Sequence, residues 1–94
     1  EVVLRFSNNA TTQQHNWVLV QDGTKDAVAT AGLCCPTSDW ISPDDAHVIV
    51  HTKLIAAGES GQVTFTAPAA GTYQFVCTFP GHSQSMFGIF EVTS

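Results

Sequence analysis

Short runs of alternating apolar and polar residues, each bounded by turn-forming residues, constrain the fold of this chain more than any other feature. In the run 62–67, Val63, Phe65 and Ala67 alternate with polar residues, a period of two that is typical of a half-buried β-strand. Further strands are predicted at 2–6, 16–21, 47–55, 72–77 and 89–93, with turns at 22–23, 58–61 and 69–71. This pattern predicts an all-β fold, and a sandwich of two sheets satisfies it best.

The interval 23–45 breaks the alternation. It is rich in alanine and contains two cysteines and two prolines, so we expect a flap with one short helix. A chain of 94 residues can bury one core but is too short for two. Residues 1–94 are therefore predicted to form a single domain.

Cys34 and Cys35, which lie in this flap, are adjacent, and the chain has three cysteines in all. A disulfide between neighbouring residues is strained, so no pairing scheme can be read from the sequence. A redox-active disulfide, an intermolecular bridge, a second metal site and two inert thiols all remain open. We favour inert thiols or an intermolecular bridge.

The charge of the chain excludes one large class of function. Arg5, Lys25 and Lys53 are the three cationic residues besides histidine, and the formal net charge is -5. Binding a phosphate backbone depends on clustered lysine and arginine, so we expect no nucleic-acid partner. No segment approaches the roughly 20 apolar residues that span a bilayer. The sequence begins at Glu1 without an initiator methionine, which leaves open an upstream signal, a membrane tether or further strands.

Three soft or borderline metal ligands lie close together near the C-terminus. Cys77, His82 and Met86 fall in a loop between two predicted strands, where they can surround one ion. Thiolate, imidazole and thioether suit copper better than calcium or magnesium, and a blue-copper centre needs a second histidine. His15 is the best candidate because it opens an apolar strand, and Asn16 beside it can hydrogen-bond the ligand loop as support.

His47 and His51 are a less suitable pair. Their spacing of four residues chelates an ion on a helix, but on a strand rising about 3.3 Å per residue the two side chains lie too far apart to share one. They also share a face with Lys53. We expect both histidines to lie on a solvated surface.

Taken together, these motifs resemble the blue-copper cupredoxins, in particular the azurins and auracyanins. The resemblance rests on HNWVL at 15–19, CTFPGH at 77–82 and Met86. PDD at 43–45 and HTKLI at 51–55 are similar to azurins, whereas Gln14 and AGESG at 57–61 resemble auracyanins. The likeness covers most of residues 4–94 and weakens between 23 and 42.

The resemblance implies a Greek-key β-sandwich with one type 1 copper ion. His15, Cys77 and His82 would be equatorial ligands, Met86 the axial ligand, and the backbone carbonyl of Gln14 a distant fifth contact. Family members have strands before the segment matched by residues 2–6, and this chain lacks them. We therefore expect a sandwich that is truncated or whose edge is covered differently.

The implied function is one-electron transport by a copper ion alternating between Cu(I) and Cu(II), without enzymatic activity. Redox proteins would dock near Phe79, Pro80 and His82, in a periplasmic or other extracytoplasmic location, with or without a membrane tether. The alternative is a copper carrier or chaperone with the same ligands and no redox role. A Cys77–His82 hydrolase is disfavoured because no third residue orients the histidine and no oxyanion site is suggested.

Overall fold

Six strands and one α-helix make up the regular structure of residues 1–93, the part of the chain that this computed structural model describes. The strands are β1 (Val2–Ser7), β2 (Val18–Gln21), β3 (Val48–His51), β4 (Ser60–Phe65), β5 (Gly71–Val76) and β6 (Phe87–Val92), and the helix is α1 (Lys25–Ala31). No helix within these residues is long and apolar enough to cross a membrane.

The strands form two antiparallel sheets. One has four strands in the order β3-β2-β5-β6, and the other pairs β1 with β4. Because β1 and β4 lie in the small sheet, the chain passes from one sheet to the other three times between β1 and β5. This arrangement confirms the predicted all-β sandwich.

The predicted strands 16–21 and 47–55 are longer than those in the structure. β2 begins at Val18 and β3 ends at His51. The next pair would be Trp17 and Thr52, whose backbones make a single hydrogen bond, from the Thr52 N–H to the Trp17 carbonyl at 2.9 Å. The Trp17 N–H instead donates to the Thr52 hydroxyl at 3.0 Å, and a side chain that takes the place of a backbone acceptor ends the regular ladder.

Between the two sheets lies an aromatic core. Trp17 is buried at its centre, and the rings of Phe65, Phe75 and Phe90 lie 6.0–6.2 Å from its ring centroid. These separations are within the range in which aromatic pairs attract one another beyond their burial. The alternation predicted for β4 and β5 therefore directs their apolar side chains to this core.

The flap covers the opposite face of the four-stranded sheet. Val28 of α1 is fully buried against Val18, Val20 and Val76, and burying a valine side chain contributes roughly 1.5–3 kcal/mol. The helix predicted in the flap is thus present and gives the sheet a second apolar face. Val76, which alternation places opposite Tyr73 and Phe75, is buried there.

A disulfide joins Cys34 to Cys35 within the flap. It lies between two short 3₁₀ turns, Gly32–Cys34 and Pro36–Ser38. The expectation of inert thiols or an intermolecular bridge is therefore wrong. That expectation relied on the strain of a vicinal disulfide, and the irregular turns on either side provide a backbone that can accommodate it.

Candidate metal centre

Three side chains from distant parts of the sequence meet at one end of the sandwich. The Nδ1 atoms of His15 and His82 lie 3.1 Å apart, and each lies 3.7 Å from the Cys77 sulfur. Among the residues that the structure describes, this is the group of histidine, cysteine and acidic side chains close enough to hold a metal ion. Cys77 and His15 are buried, with 3% and 9% of their surfaces exposed.

The triangle formed by these atoms fits a single transition-metal ion. A point equidistant from the three atoms lies about 2.0 Å from each of them, near the roughly 2.0–2.3 Å of metal bonds to imidazole nitrogen and thiolate sulfur. One soft thiolate and two imidazoles suit copper. The donor set and its spacing therefore match the expected cofactor.

Backbone pairing and a buried amide hold His15 in place. His15 and Ile55 exchange two backbone hydrogen bonds, of 3.1 and 2.7 Å, outside the regular strands. The amide of Asn8, which is buried, donates to the carbonyls of Gln13 and Ile55 at 2.8 and 2.9 Å. The loop leading to His15 is thus fixed on both sides of the ligand.

Cys77 and His82 lie on the loop that joins β5 to β6. The Cys77 N–H donates to the Met86 carbonyl at 2.9 Å, which closes the loop on itself. Within it, the His82 N–H donates to the Phe79 carbonyl at 3.0 Å, and Gly81 has a φ of +85°. Proline followed by a left-handed glycine and closed by this hydrogen bond is a type II turn, which sets the position of the His82 ring.

Asn16 connects the two ligand-bearing segments. Its amide donates to the Thr78 hydroxyl at 2.8 Å and to the Asp39 carbonyl at 2.9 Å, and its oxygen accepts the Thr78 N–H at 2.8 Å. Asn16 is 2% exposed and Thr78 1%, so water does not compete for these bonds. The support expected from Asn16 thus takes the form of three hydrogen bonds that tie the residues next to His15 and Cys77 together.

A strained turn of the flap reaches the same end of the molecule. Asp39 and Trp40 have φ values of 59° and 61°, a conformation that costs L-residues other than glycine roughly 1–2 kcal/mol each. The Asp39 carboxylate accepts the Leu54 N–H at 3.1 Å. The Trp40 ring contacts Phe79 edge-on at 5.9 Å, and Phe79 lies 4.9 Å from His82, so a row of aromatic rings links the flap to a candidate ligand.

The protonation of the two buried candidate ligands depends on their surroundings. Burial, and then the charge of nearby His82, lower the pKa of His15, so the neutral, metal-binding imidazole is favoured. Burial raises the pKa of the Cys77 thiol, while the backbone N–H groups of Asn16 and Phe79 act in the opposite direction. A bound cation would supply the charge that makes the buried thiolate favourable.

The remaining candidate residues lie outside the triangle of His15, Cys77 and His82. Met86 lines the same cleft as Cys77, and its N–H donates to the His82 carbonyl at 2.9 Å. Gln14 is exposed, and its predicted carbonyl contact to the ion stays a prediction. His47 and His51 are exposed on β3 or next to it, as expected for a solvated pair.

Several supporting residues were not identified from the sequence. Asn8, Thr78 and Asp39 each contribute hydrogen bonds to the ligand segments. The sequence indicates this role of Asn8 only weakly, since asparagine is common in turns. The sequence Phe79-Pro80-Gly81-His82 carried a stronger signal, because proline and glycine at the two central positions favour a type II turn.

The chain matches proteins of known family along almost its whole length. The model of the copper binding proteins of the plastocyanin/azurin family matches residues 3–93. Auracyanin-A of Chloroflexus aurantiacus is 46% identical over 90 residues, which covers 93% of this chain and 56% of the relative. Azurin of Pseudomonas aeruginosa is 45% identical over 78 residues, which covers 79% of this chain and 53% of the relative. The chain thus spans about half the length of these curated relatives.

Solved structures of auracyanins have the same fold. A reduced auracyanin from Roseiflexus castenholzii superposes with a TM-score of 0.92 at 36% identity, covering 99% of this chain and 77% of that one. Auracyanin A of C. aurantiacus, described as a "blue" copper protein, gives a TM-score of 0.90 at 44% identity, covering 97% of this chain and 76% of that one. The family model matches residues 3–93, and the donor set of the site suits copper. This chain therefore belongs to the plastocyanin/azurin family of copper binding proteins.

Proposed function

We propose that this chain carries single electrons between redox proteins, using one copper ion that alternates between Cu(I) and Cu(II). The observation that carries the proposal is the triangle of His15 Nδ1, His82 Nδ1 and Cys77 Sγ, with sides of 3.1–3.7 Å. Copper with one thiolate and two imidazole ligands supplies fast one-electron chemistry. The protein needs only to hold those ligands still.

The surroundings of the triangle support a fixed site. The Asn16 hydrogen bonds and the His15–Ile55 bridge brace the ligands from separate directions. A site held in this way gives both oxidation states nearly the same geometry, so little rearrangement accompanies the change of charge. The burial of His15 and Cys77 also disfavours the alternative of a copper carrier, which must release its ion readily.

Two finer assignments belong to this proposal. Met86 is the axial ligand, supported by its place in the cleft that Cys77 also lines, and the Gln14 carbonyl is a distant fifth contact. The backbone N–H groups of Asn16 and Phe79, which act to lower the pKa of the Cys77 thiol, favour the thiolate and tune the reduction potential.

The exit for electrons is the edge of His82, the least buried of the three candidate ligands. Phe79 and Pro80 lie beside it and are half-buried, and they line a cleft without a charged residue. We propose that redox partners dock here through apolar contact. The similarity to azurins and auracyanins supports a periplasmic or other extracytoplasmic location, with a membrane tether as one arrangement.

One spectroscopic experiment tests the electron-transfer proposal. The Cu(II)-loaded protein should show an intense visible band from thiolate-to-copper charge transfer, with the EPR spectrum of a type 1 site, and it should retain copper against mild chelators. A colourless Cu(II) protein, or rapid loss of copper to such a chelator, would instead support the carrier alternative.

A further inference from the structure

The flap contains a second sulfur centre that the copper site does not use. Cys34 is exposed and Cys35 half-buried, and the two form a disulfide. We propose that this disulfide is a thiol-exchange site. Its reduction releases the turn at residues 36–40, whose Asp39 and Trp40 lie against the copper-ligand loop between β5 and β6.

The chemistry of the exchange is that of any accessible disulfide. A thiolate of an incoming dithiol attacks the sulfur of Cys34, the more exposed of the two residues, a new S–S bond forms, and Cys35 leaves as a thiolate. The second thiol of the dithiol then displaces Cys34 from the mixed disulfide. The dithiol loses two electrons and two protons and becomes a disulfide, while Cys34 and Cys35 gain them and become thiols.

The disulfide also fixes the backbone of Cys35. Bonding adjacent side chains closes a small ring around the Cys34–Cys35 peptide bond, which restricts rotation about the N–Cα bond of Cys35. Pro36 constrains the same residue from the other side, because a residue before proline avoids helical backbone, and Cys35 has a φ of -134° and a ψ of 59°. In the disulfide form, fewer directions are therefore open to the Cys35 carbonyl.

That carbonyl organises the turn that follows. It accepts the N–H groups of Ser38 and Trp40, both at 3.0 Å. Among the described residues, Asp39 and Trp40 are the two other than glycine with a positive φ, a conformation that persists only where the surroundings hold it. Freeing the Cys35 carbonyl removes one of those restraints.

Two contacts connect this turn to the copper site. The Asp39 carbonyl accepts the Asn16 amide at 2.9 Å, and Asn16 in turn binds Thr78, next to Cys77. The Trp40 ring contacts Phe79, which lies against His82. A relaxed turn withdraws support from both sides of the ligand loop, so the reduced flap should leave that loop more mobile.

The first test counts thiols. Oxidised protein that is unfolded without reductant and treated with iodoacetamide should be alkylated at one cysteine, Cys77. Alkylation of all three cysteines would overturn the proposal.

The second test measures hydrogen exchange on the Cu(I)-loaded protein by NMR. After treatment with dithiothreitol under native conditions, followed by its removal, the Ser38 and Trp40 amides should exchange about tenfold faster, as expected for local opening. The Asn8 and Gly58 amides, which bond to residues outside the flap, serve as internal controls and should not change. Reoxidation should restore slow exchange.

A variant gives the same comparison without reductant. Cys34→Ser/Cys35→Ser should reproduce the fast exchange of the reduced protein, whereas Thr37→Ala, at an exposed position of the same turn, should leave it slow. A disulfide that dithiothreitol cannot reduce in the folded protein, or a reduced protein whose Ser38 and Trp40 amides exchange as slowly as before, contradicts the proposal. The comparison of oxidised with reduced wild-type protein tests the proposal even if the double variant does not fold.

Discussion

Replacing Asn16 by alanine should cost this protein a large part of its stability. The substitution removes three hydrogen bonds, two to Thr78 and one to the Asp39 carbonyl. A hydrogen bond contributes about 1 kcal/mol on average, and more where a buried partner is left unsatisfied, so the expected loss is about 3 kcal/mol. Since domains are typically stable by about 5–15 kcal/mol, such a loss is easily measured.

The assay is urea unfolding of the metal-free protein, followed by fluorescence, so that metal binding does not mask the change. Thr78→Val is the matched partial variant. It removes the hydroxyl acceptor but keeps the Thr78 N–H that donates to Asn16, so it should lose about 1 kcal/mol. Asn9→Ala, at an exposed asparagine, should stay within about 0.5 kcal/mol of wild type.

The copper-loaded Asn16→Ala protein gives a second measurement. Because Asn16 braces the segment next to Cys77, its loss should also shift the visible absorption band. A destabilisation below about 1 kcal/mol together with an unchanged spectrum would refute the reasoning, since it would show that the three bonds neither stabilise the fold nor hold the ligand loop.

Four further outcomes are expected. Cys77→Ser should abolish the visible band of the copper-loaded protein, while Cys34→Ser/Cys35→Ser keeps a visible band; a band that survives in Cys77→Ser would show that another ligand produces it. Met86→Leu should leave a coloured protein with a raised reduction potential in voltammetry, and an unchanged potential would show that Met86 is not axial. Gly81→Ala should lower the free energy of unfolding by about 1 kcal/mol, because alanine disfavours a positive φ; thermal unfolding measures the loss, and an unaltered midpoint would argue against the type II turn. For metal-free protein, the lowered pKa of His15 means that the unfolded state binds more protons, so stability should fall as the pH drops below the ordinary histidine value of 6.5. Urea midpoints at successive pH values measure this fall in stability. In the His15→Gln variant the fall should be smaller.

The strands and the candidate ligands could be predicted because their signals are local. Alternation in 62–67 depends only on which side of a strand faces the core, and Cys77, His82 and Met86 lie within one short loop. His15 lies far from that loop in sequence. Its choice rested on the need for a second histidine, and was strengthened by the resemblance to azurins and auracyanins.

The flap could not be predicted in the same way, because its structure depends on contacts with the rest of the chain. The 3₁₀ turns and the Cys34–Cys35 disulfide leave no periodic pattern in the sequence. Nothing in the alternation of β5 indicates that Val28 will cover Val76 from the other side. The Thr52 hydroxyl, which ends the β2–β3 ladder early, likewise looks like any strand threonine until its partner Trp17 is known.

The loop between Cys77 and Met86 is also the connection of a β-hairpin whose strands are aligned independently of it. Six residue pairs, from Gly71–Val92 to Val76–Phe87, set the register of β5 and β6, and the Met86 carbonyl closes the loop at its base. We therefore expect that residues outside the Thr78 contacts and the type II turn can be exchanged between the candidate ligands without displacing the sheet. A different loop on the same hairpin should then change the spacing of the ligands, and with it the preference for an ion, while the scaffold that carries His15 stays the same.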